Sequence, residues 1–319
     1  MQYWNVVVLE ADCLLNFSTC QMLEEAGCRL IHVFDAEDES LLVSCRKADA
    51  VLTFLTPISA KVIEAMEQCK SIVRLGVGYD SVDFQTAKRC GIPVSNIPDY
   101  CMGEVADHAM ALALALTRGL PTLQKTLEGG GWFPRLPFPM RSSAEMTFGI
   151  IGLGRIGRAT AERAKAFHFR LVAHDPYLEA ESVRALGIDP LSLEETLAQS
   201  DVLSLHTPLT PETHHLLNAE RLAFMKPTSI LINTARGKIV DTMALAESLT
   251  QGRIGAAGID VFEAEPLPED HPLRSCPNTL LTPHWAWHST ESELRLHKMG
   301  AEEALRGLLG ESLRSCINL

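Results

Sequence analysis

Short apolar runs rich in branched residues alternate along this chain with stretches whose apolar positions recur at helical spacing. Residues 6–9, Val-Val-Val-Leu, read as a strand, and residues 18–26 as a helix closed by Gly27. A second strand is expected over 50–55. Ser59 then caps a helix running to about residue 69. Residues 72–75 form a third strand, 84–90 a helix stopped by Gly91, and Val94 a short fourth strand. Alternation at this spacing predicts a parallel sheet covered by helices. Gly27 and Gly91 stand where helix C-terminal caps belong.

Around residues 97–100 the pattern changes. A long apolar helix is expected from about 103 to 117. It is followed by Gly129-Gly130-Gly131-Trp132-Phe133-Pro134, then Pro137 and Pro139, which read as an exposed connection. A second alternating unit runs from 146 to about 283. The last helix, roughly 291–309, is expected to pack back toward the first unit. The predicted organisation is therefore α/β with two domains, residues 1–99 with 291–319 and residues 100–290.

Composition narrows the function classes. The 319 residues carry a formal net charge of −12, which disfavours non-specific binding to nucleic acid or anionic membrane. The most apolar helix candidate, 106–116, is too short to span a bilayer. Residues 1–10 read as a strand entering a fold rather than a signal peptide. The nine cysteines, from Cys13 to Cys316, form no CxxC pair and no Cys/His cluster of zinc spacing, so no metal is expected. Reduced thiols in a cytoplasmic protein are the expectation.

The first chemical signature is Gly152-Leu153-Gly154-Arg155-Ile156-Gly157. It follows the apolar strand 146–151 and opens a helix expected over 158–167, the context a dinucleotide loop requires. Gly152 permits the tight turn, Gly154 lets a pyrophosphate approach the backbone, and Gly157 allows close helix–strand packing. The N–H groups of Arg155 and Ile156 would face the pyrophosphate at the helix N-terminus. The next strand, 171–174, ends at Asp175, about twenty residues beyond the glycines. A carboxylate there accepts ribose hydroxyls and repels a 2′-phosphate, which indicates NAD over NADP. His174 and Arg170 nearby could soften that preference.

Further strands are expected at 201–206, 230–233, 256–260 and 279–282. Thr207, Thr234, Arg236, Asp260 and His284 then all fall at carboxyl ends, where ligands of open α/β sheets bind. Arg236, Glu265 and His284 supply a guanidinium, a carboxylate and an imidazole, the groups needed to hold a 2-oxo acid and move one proton. Glu265 sits in an acidic loop with Glu263, Glu269 and Asp270, most of whose charge reads as solvated. His214 and His215 have no motif context and read as surface or packing residues.

The ordered motifs Leu75-Gly76-Val77-Gly78-Tyr79-Asp80, GLGRIG, His206-Thr207-Pro208-Leu209-Thr210, Asn233-Thr234-Ala235-Arg236-Gly237, Asp260-Val261-Phe262-Glu263-Ala264-Glu265-Pro266 and Thr282-Pro283-His284 closely resemble the D-isomer-specific 2-hydroxyacid dehydrogenase family over nearly the full length. The resemblance implies a flavodoxin-like substrate-binding domain and a Rossmann NAD-binding domain, with the active site in the cleft between them. It implies a homodimer whose interface uses the apolar helix after the first crossover. By the same resemblance Arg236 binds the substrate carboxylate and carbonyl, His284 is the general acid in reduction and base in oxidation, and Glu265 pairs with His284. Val77 and Gly78 backbone groups would hold the carboxylate. Asp260 would contact the nicotinamide region, and Thr207, Pro208, Thr234 and Ala235 complete the cofactor-binding set. Within the family, Val73-Arg74, Trp287 and the tail Leu313-Arg314-Ser315-Cys316-Ile317-Asn318 look most like the C-terminal-binding-protein branch, in which the matching Arg74 and Trp287 line the substrate pocket. Trp285 and His288 depart from that pattern.

The expected activity is NAD-dependent hydride transfer to a small 2-oxo acid. A carboxylate at Glu265 should favour a protonated His284, and the planar fork of Arg236 suits a substrate carboxylate better than lysine would. The alternative is an NAD(H)-sensing, corepressor-like binding protein with little turnover.

Overall fold

The computed structural model describes residues 3–9, 15–34 and 37–318. Cys13 and the ends of the 1–10 stretch lie outside the described residues. The chain divides into two compact units, Met1–Cys101 with Ser289–Leu319, and Met102–His288.

The first unit holds five strands: β1 (Trp4–Leu9), β2 (Cys28–Val33), β3 (Ala50–Thr53), β4 (Ser71–Arg74) and β5 (Val94–Asn96). All pair in parallel in the order β2-β1-β3-β4-β5, the flavodoxin-like order. Strands β3, β4 and β5 are buried at every position, as a sheet covered on both faces requires. Val7, Leu9, Val51, Ile58, Ile63, Ile72 and Val94 form the core of one face. The C-terminal helix Thr290–Leu309 packs on β3 and β4. A Cβ on Gly300 would meet the Leu75 and Leu52 side chains, and one on Gly307 would meet Ser71, so these two glycines let the helix lie close to the sheet.

The second unit holds β6 (Thr147–Ile151), β7 (Arg170–His174), β8 (Asp189–Pro190), β9 (Val202–Leu205), β10 (Ile230–Asn233), β11 (Ala256–Ile259) and β12 (Thr279–Leu281). Its parallel sheet runs β12-β11-β10-β9-β6-β7-β8, a doubly wound Rossmann order in which the chain reverses direction across the sheet between β6 and β9. The strands show the two-residue alternation of a sheet with helices on both sides. Phe148, Ile150, Val202, Ile230 and Ile232 face one cluster with Leu112 and Leu116 of the helix Met102–Thr117. Ile151, Leu203, Leu205, Leu231 and Ile259 face the other with Leu245 and Leu249.

Several elements differ from the sequence reading. Strand β2 and the helix Asp38–Cys45 were not expected. Strand β2 is an edge strand with Arg29 and His32 exposed, so its apolar run is interrupted. The helix after Ser59 spans only Ala60–Glu64, and the Ser59 hydroxyl bonds the Asp38 carboxylate rather than capping it. A helix Leu120–Glu128 precedes the glycine-rich segment. Its Pro121 sits in the first turn, where a missing N–H costs nothing. The dinucleotide helix begins at Arg155, not at 158, because the glycine loop itself forms the first turn. No helix among the described residues is long and apolar enough to cross a membrane.

Close approach at the glycine loop can be tested directly. A Cβ on Gly157 would collide with the Gly152 carbonyl, and backbone cannot move aside as a side-chain tip can. Gly157→Ala should therefore destabilise the protein by at least about 1 kcal/mol and weaken NADH binding. Urea unfolding and fluorescence titration read the two effects, and a variant as stable as wild type would contradict this packing.

Candidate active site

The glycine loop ends β6. Gly152 has φ +90° and lies against the backbone of His206 and Thr207 at the end of β9, so the loop sits at the point where the strand order reverses. Nothing lies within 4 Å of a Cβ placed on Gly154, which leaves its face open to a ligand. Gly154 caps the helix Arg155–Ala166. The first intrahelical bond is Arg158 N–H to the Gly154 carbonyl, so the Arg155 and Ile156 N–H groups are left for an anion. Asp175 ends β7. Its carboxylate accepts from Leu153 N–H at 2.8 Å and Tyr177 N–H at 3.0 Å, and each oxygen keeps a lone pair for a hydroxyl donor. Arg170 pairs with Asp189 at 3.0 Å, and the His174 ring bonds the Leu191 carbonyl at 3.2 Å, so both have partners of their own.

Two groups fit a bound dinucleotide on physical grounds. Thr234 is 8% exposed, and its hydroxyl has no hydrogen-bond partner among the described residues. An unpaired buried hydroxyl costs free energy that a ligand acceptor would recover. His206 bonds Ser204 Oγ at 2.9 Å, and burial pushes its imidazole down to about 4, so this wall of the loop is neutral. Thr207 is half-buried, and Pro208 accepts from Thr213 Oγ1 at 2.6 Å, which shapes the turn after β9.

Arg236 follows β10 in a turn built by Asn233, whose side chain accepts from Ala235 N–H at 3.0 Å and donates to the Arg236 carbonyl at 2.9 Å. The next residue must be glycine, because a Cβ on Gly237 would overlap the Phe262–Glu263 backbone. That contact fixes the arginine turn against the loop after β11. In that loop Glu265 Oε1 accepts from Phe262 N–H at 2.8 Å, and Oε2 pairs with His284 Nδ1 at 2.7 Å. Burial pushes the Glu265 carboxyl up, but the His284 hydrogen bond and charge, the Phe262 N–H and the Arg236 guanidinium outweigh it. The carboxyl therefore titrates below its usual 4.5.

His284 has φ +54°, a left-handed conformation that side-chain-bearing residues seldom adopt. It is held there by Asp260. The Asp260 carbonyl accepts from His284 N–H at 2.7 Å. Its fully buried carboxylate accepts from Thr282 Oγ1 at 2.5 Å, Trp285 N–H at 2.9 Å and Ala286 N–H at 3.0 Å. His108, from the helix Met102–Thr117, reaches Thr282 Oγ1 at 3.0 Å and Asp260 at 3.7 Å. Asp260 thus anchors the turn that carries His284, a positioning role that the sequence did not indicate for it or for His108. Beyond the turn, Trp285 stacks on His288 at 4.5 Å between ring centroids, and Trp287 meets the same ring edge-on at 5.2 Å.

Glu263 was also misread, and His215 is its partner. Glu263 is not a solvated charge: Oε1 accepts from Thr242 N–H at 3.0 Å and Thr242 Oγ1 at 2.7 Å, and Oε2 pairs with His215 Nε2 at 2.9 Å. Burial raises its carboxyl, the Thr242 and His215 hydrogen bonds more than reverse this, and it too lies below the usual range. His215 N–H donates to the Lys238 carbonyl, so the pair braces the turn that follows Arg236.

Arg74, Val77 and Gly78 belong to the first unit. Arg74 ends β4 and is 6% exposed. Its Nη1 donates to the Leu75 carbonyl at 3.2 Å, and the guanidinium lies over the Phe54 ring at 5.8 Å. Gly76 leaves it room, since a Cβ there would overlap the guanidinium. Val77 and Gly78 are half-buried in the loop that follows.

Residues 110–286 match the family described as D-isomer specific 2-hydroxyacid dehydrogenase, NAD binding domain. The chain is 39% identical over 277 residues to a glyoxylate reductase of Korarchaeum cryptofilum, covering 86% of this chain and 83% of that protein. It is 38% identical over 307 residues to a D-3-phosphoglycerate dehydrogenase of Methanocaldococcus jannaschii, covering 96% of this chain but only 58% of that one. A solved D-lactate dehydrogenase from Aquifex aeolicus, complexed with NAD and lactic acid, superposes with a TM-score of 0.87 at 29% identity, covering 99% of both chains. These proteins are named as reductases and dehydrogenases, and the corepressor alternative gains no support from them. A doubly wound sheet with an open glycine loop, an NAD-binding match over most of that sheet and relatives alike over most of this chain agree, and the chain belongs to the D-isomer-specific 2-hydroxyacid dehydrogenase family.

Proposed function

We propose that this NAD-dependent oxidoreductase interconverts a small 2-oxo acid and its 2-hydroxy acid, with Arg236, Glu265 and His284 as its catalytic residues. The observation that carries the proposal is the 2.7 Å bond between His284 Nδ1 and Glu265. It commits the Nδ1 proton to the carboxylate and leaves Nε2 to give a proton to the carbonyl oxygen, or to take it back in oxidation. When bound, the nicotinamide supplies the hydride. Gly152, Gly154, Arg155, Ile156, Gly157, Asp175, Thr207, Pro208, Thr234 and Ala235 are assigned to the cofactor side, whereas Asp260, fully buried, serves the site by holding the His284 turn rather than by touching the nicotinamide. Arg236 would hold the substrate carboxylate with two parallel charge-assisted bonds; the Val77 and Gly78 N–H groups, Arg74 and Trp287 are each assigned to the substrate side. The aromatic group formed by Trp285, Trp287 and His288 favours an apolar or very small 2-oxo acid over a phosphorylated one.

Cytoplasmic location is part of the proposal. So is a homodimer. Trp132 and Phe133 are 77% and 89% exposed in the glycine- and proline-rich connection, and large apolar side chains so exposed favour burial against a partner. Sedimentation should give twice the 35.0 kDa chain mass, and a 35.0 kDa species would remove this part.

Loss of nicotinamide absorbance with NADH and a panel of 2-oxo acids tests the activity, and turnover of none of them would sink it. Within that assay His284→Gln should lower kcat by about 10²- to 10⁴-fold with NADH affinity nearly unchanged. Unchanged kcat would remove His284 from its role.

The depressed Glu265 carboxyl makes a separate prediction. A group whose folded pKa lies below its unfolded value stabilises the fold above the unfolded pKa, and that contribution fades as pH falls through the folded one. Glu265→Gln should therefore be less stable than wild type at neutral pH, with the gap narrowing once pH drops below 4.5. A gap that stays constant down to acid pH would show that the charge of Glu265 contributes nothing.

A further inference from the structure

The C-terminal tail, residues 314–318, has no part in the chemistry above, yet it is built into the first unit with care. Ser95 and Cys316 form an antiparallel bridge, and Ile317 N–H donates to the Val94 carbonyl at 2.9 Å. Asn318, 4% exposed, accepts from Val94 N–H at 2.8 Å and donates to the Ile92 carbonyl at 2.9 Å. The tail thus covers the open edge of β5. Arg314 N–H donates to the Glu303 carboxylate at 3.0 Å, which pins the tail's start to the C-terminal helix.

One side chain of the tail reaches further. Ser315 Oγ donates to Asn96 Oδ1 at 2.6 Å, and Asn96 Nδ2 donates to the Val77 carbonyl at 2.5 Å. Asn96 is 6% exposed, so both ends of its amide are used where water cannot compete. The Val77 carbonyl and the Gly78 N–H are the two ends of one planar trans peptide and point in opposite directions. Fixing the carbonyl therefore aims the N–H. Each link also polarises the next, which makes the terminal N–H a better donor. A glycine at position 78 gives that peptide little side-chain restraint of its own, so outside support has something to correct.

We propose that Ser315, acting through Asn96, is a positioning residue that aims the Gly78 N–H at the substrate carboxylate. The inference rests on the proposed assignment of Val77 and Gly78 as carboxylate donors. The tail is then more than an edge cover: its one inward hydroxyl completes a hydrogen-bonded line from the end of the chain to the loop that meets the substrate.

Ser315→Ala removes the hydroxyl and leaves the backbone pairing of the tail intact, while Ser315→Thr keeps a hydroxyl there. The experiment combines steady-state kinetics, using NADH and whichever 2-oxo acid wild type reduces fastest, with hydrogen exchange of the peptide covering residues 76–79. Ser315→Ala should raise KM for the acid about fivefold, leave kcat and the NADH Kd near wild type, and speed exchange at 76–79. Ser315→Thr should restore KM. A lowered melting temperature with KM and exchange unchanged would mean that the tail is only a strap, and would overturn the proposal. If wild type reduces no 2-oxo acid, the functional reading fails instead. Exchange at 76–79 then decides alone: faster exchange in Ser315→Ala supports the aiming, and unchanged exchange overturns it.

Discussion

The buried carboxylate of Asp260 is the constraint on which the candidate active site depends. A carboxylate taken fully out of water must be met by hydrogen bonds, because an unmet polar group in the interior costs on the order of 2–7 kcal/mol. Here the donors are Thr282 Oγ1 and the N–H groups of Trp285 and Ala286. All three lie in the turn that holds His284. The need to solvate one carboxylate is thus what folds the turn. A left-handed conformation at a non-glycine residue costs of order 1–3 kcal/mol and persists only where its surroundings impose it, and Asp260 with its neighbours imposes it on His284.

The same logic repeats along the carboxyl ends of the second sheet. The loops after β10, β11 and β12 carry the candidate residues Arg236, Glu265 and His284, and neighbouring groups brace them. Asn233 shapes the turn before Arg236, the pair Glu263 and His215 braces the turn after it, and Phe262 N–H orients Glu265. Gly237 is where these loops touch, backbone against backbone. Parallel strands make this possible because they place consecutive loops side by side on one rim. The paired His284 and Glu265 and the side chain of Arg236, to which the proposed function gives the proton and the carboxylate, are therefore set by rigid strands and short turns rather than by long flexible segments.

Much of this was legible in the sequence. Buried parallel strands leave continuous apolar runs, and β3, β4, β6, β9, β10 and β11 were read within one or two residues for that reason. The glycine loop was legible because each glycine answers a distinct steric demand. The elements that escaped lacked such signals: β2 at a sheet edge, with polar residues breaking its run, and the helix Leu120–Glu128, with no buried residue. The same limit governs the site. Arg236, Glu265 and His284 stand out because their motifs sit at strand ends. Glu263 looked like one more acid in an acidic loop, since its partner His215 is 48 positions away and no local pattern joins them. His108 lies 174 positions from Thr282. Pairings of that kind exist only once the sheet has brought its loops together.

Asp260 grips Trp285 and Ala286 through their backbone N–H groups and not through their side chains. Every residue except proline carries that donor. The aromatic side chains of Trp285, Trp287 and His288 can therefore be exchanged for others while the anchor beneath them keeps its bonds and His284 keeps its place. On the proposed function, proton delivery and substrate preference share one short turn, yet they are held by different atoms. A lineage could change which acid it accepts by rewriting the exposed half of that turn, with the chemistry left as it was.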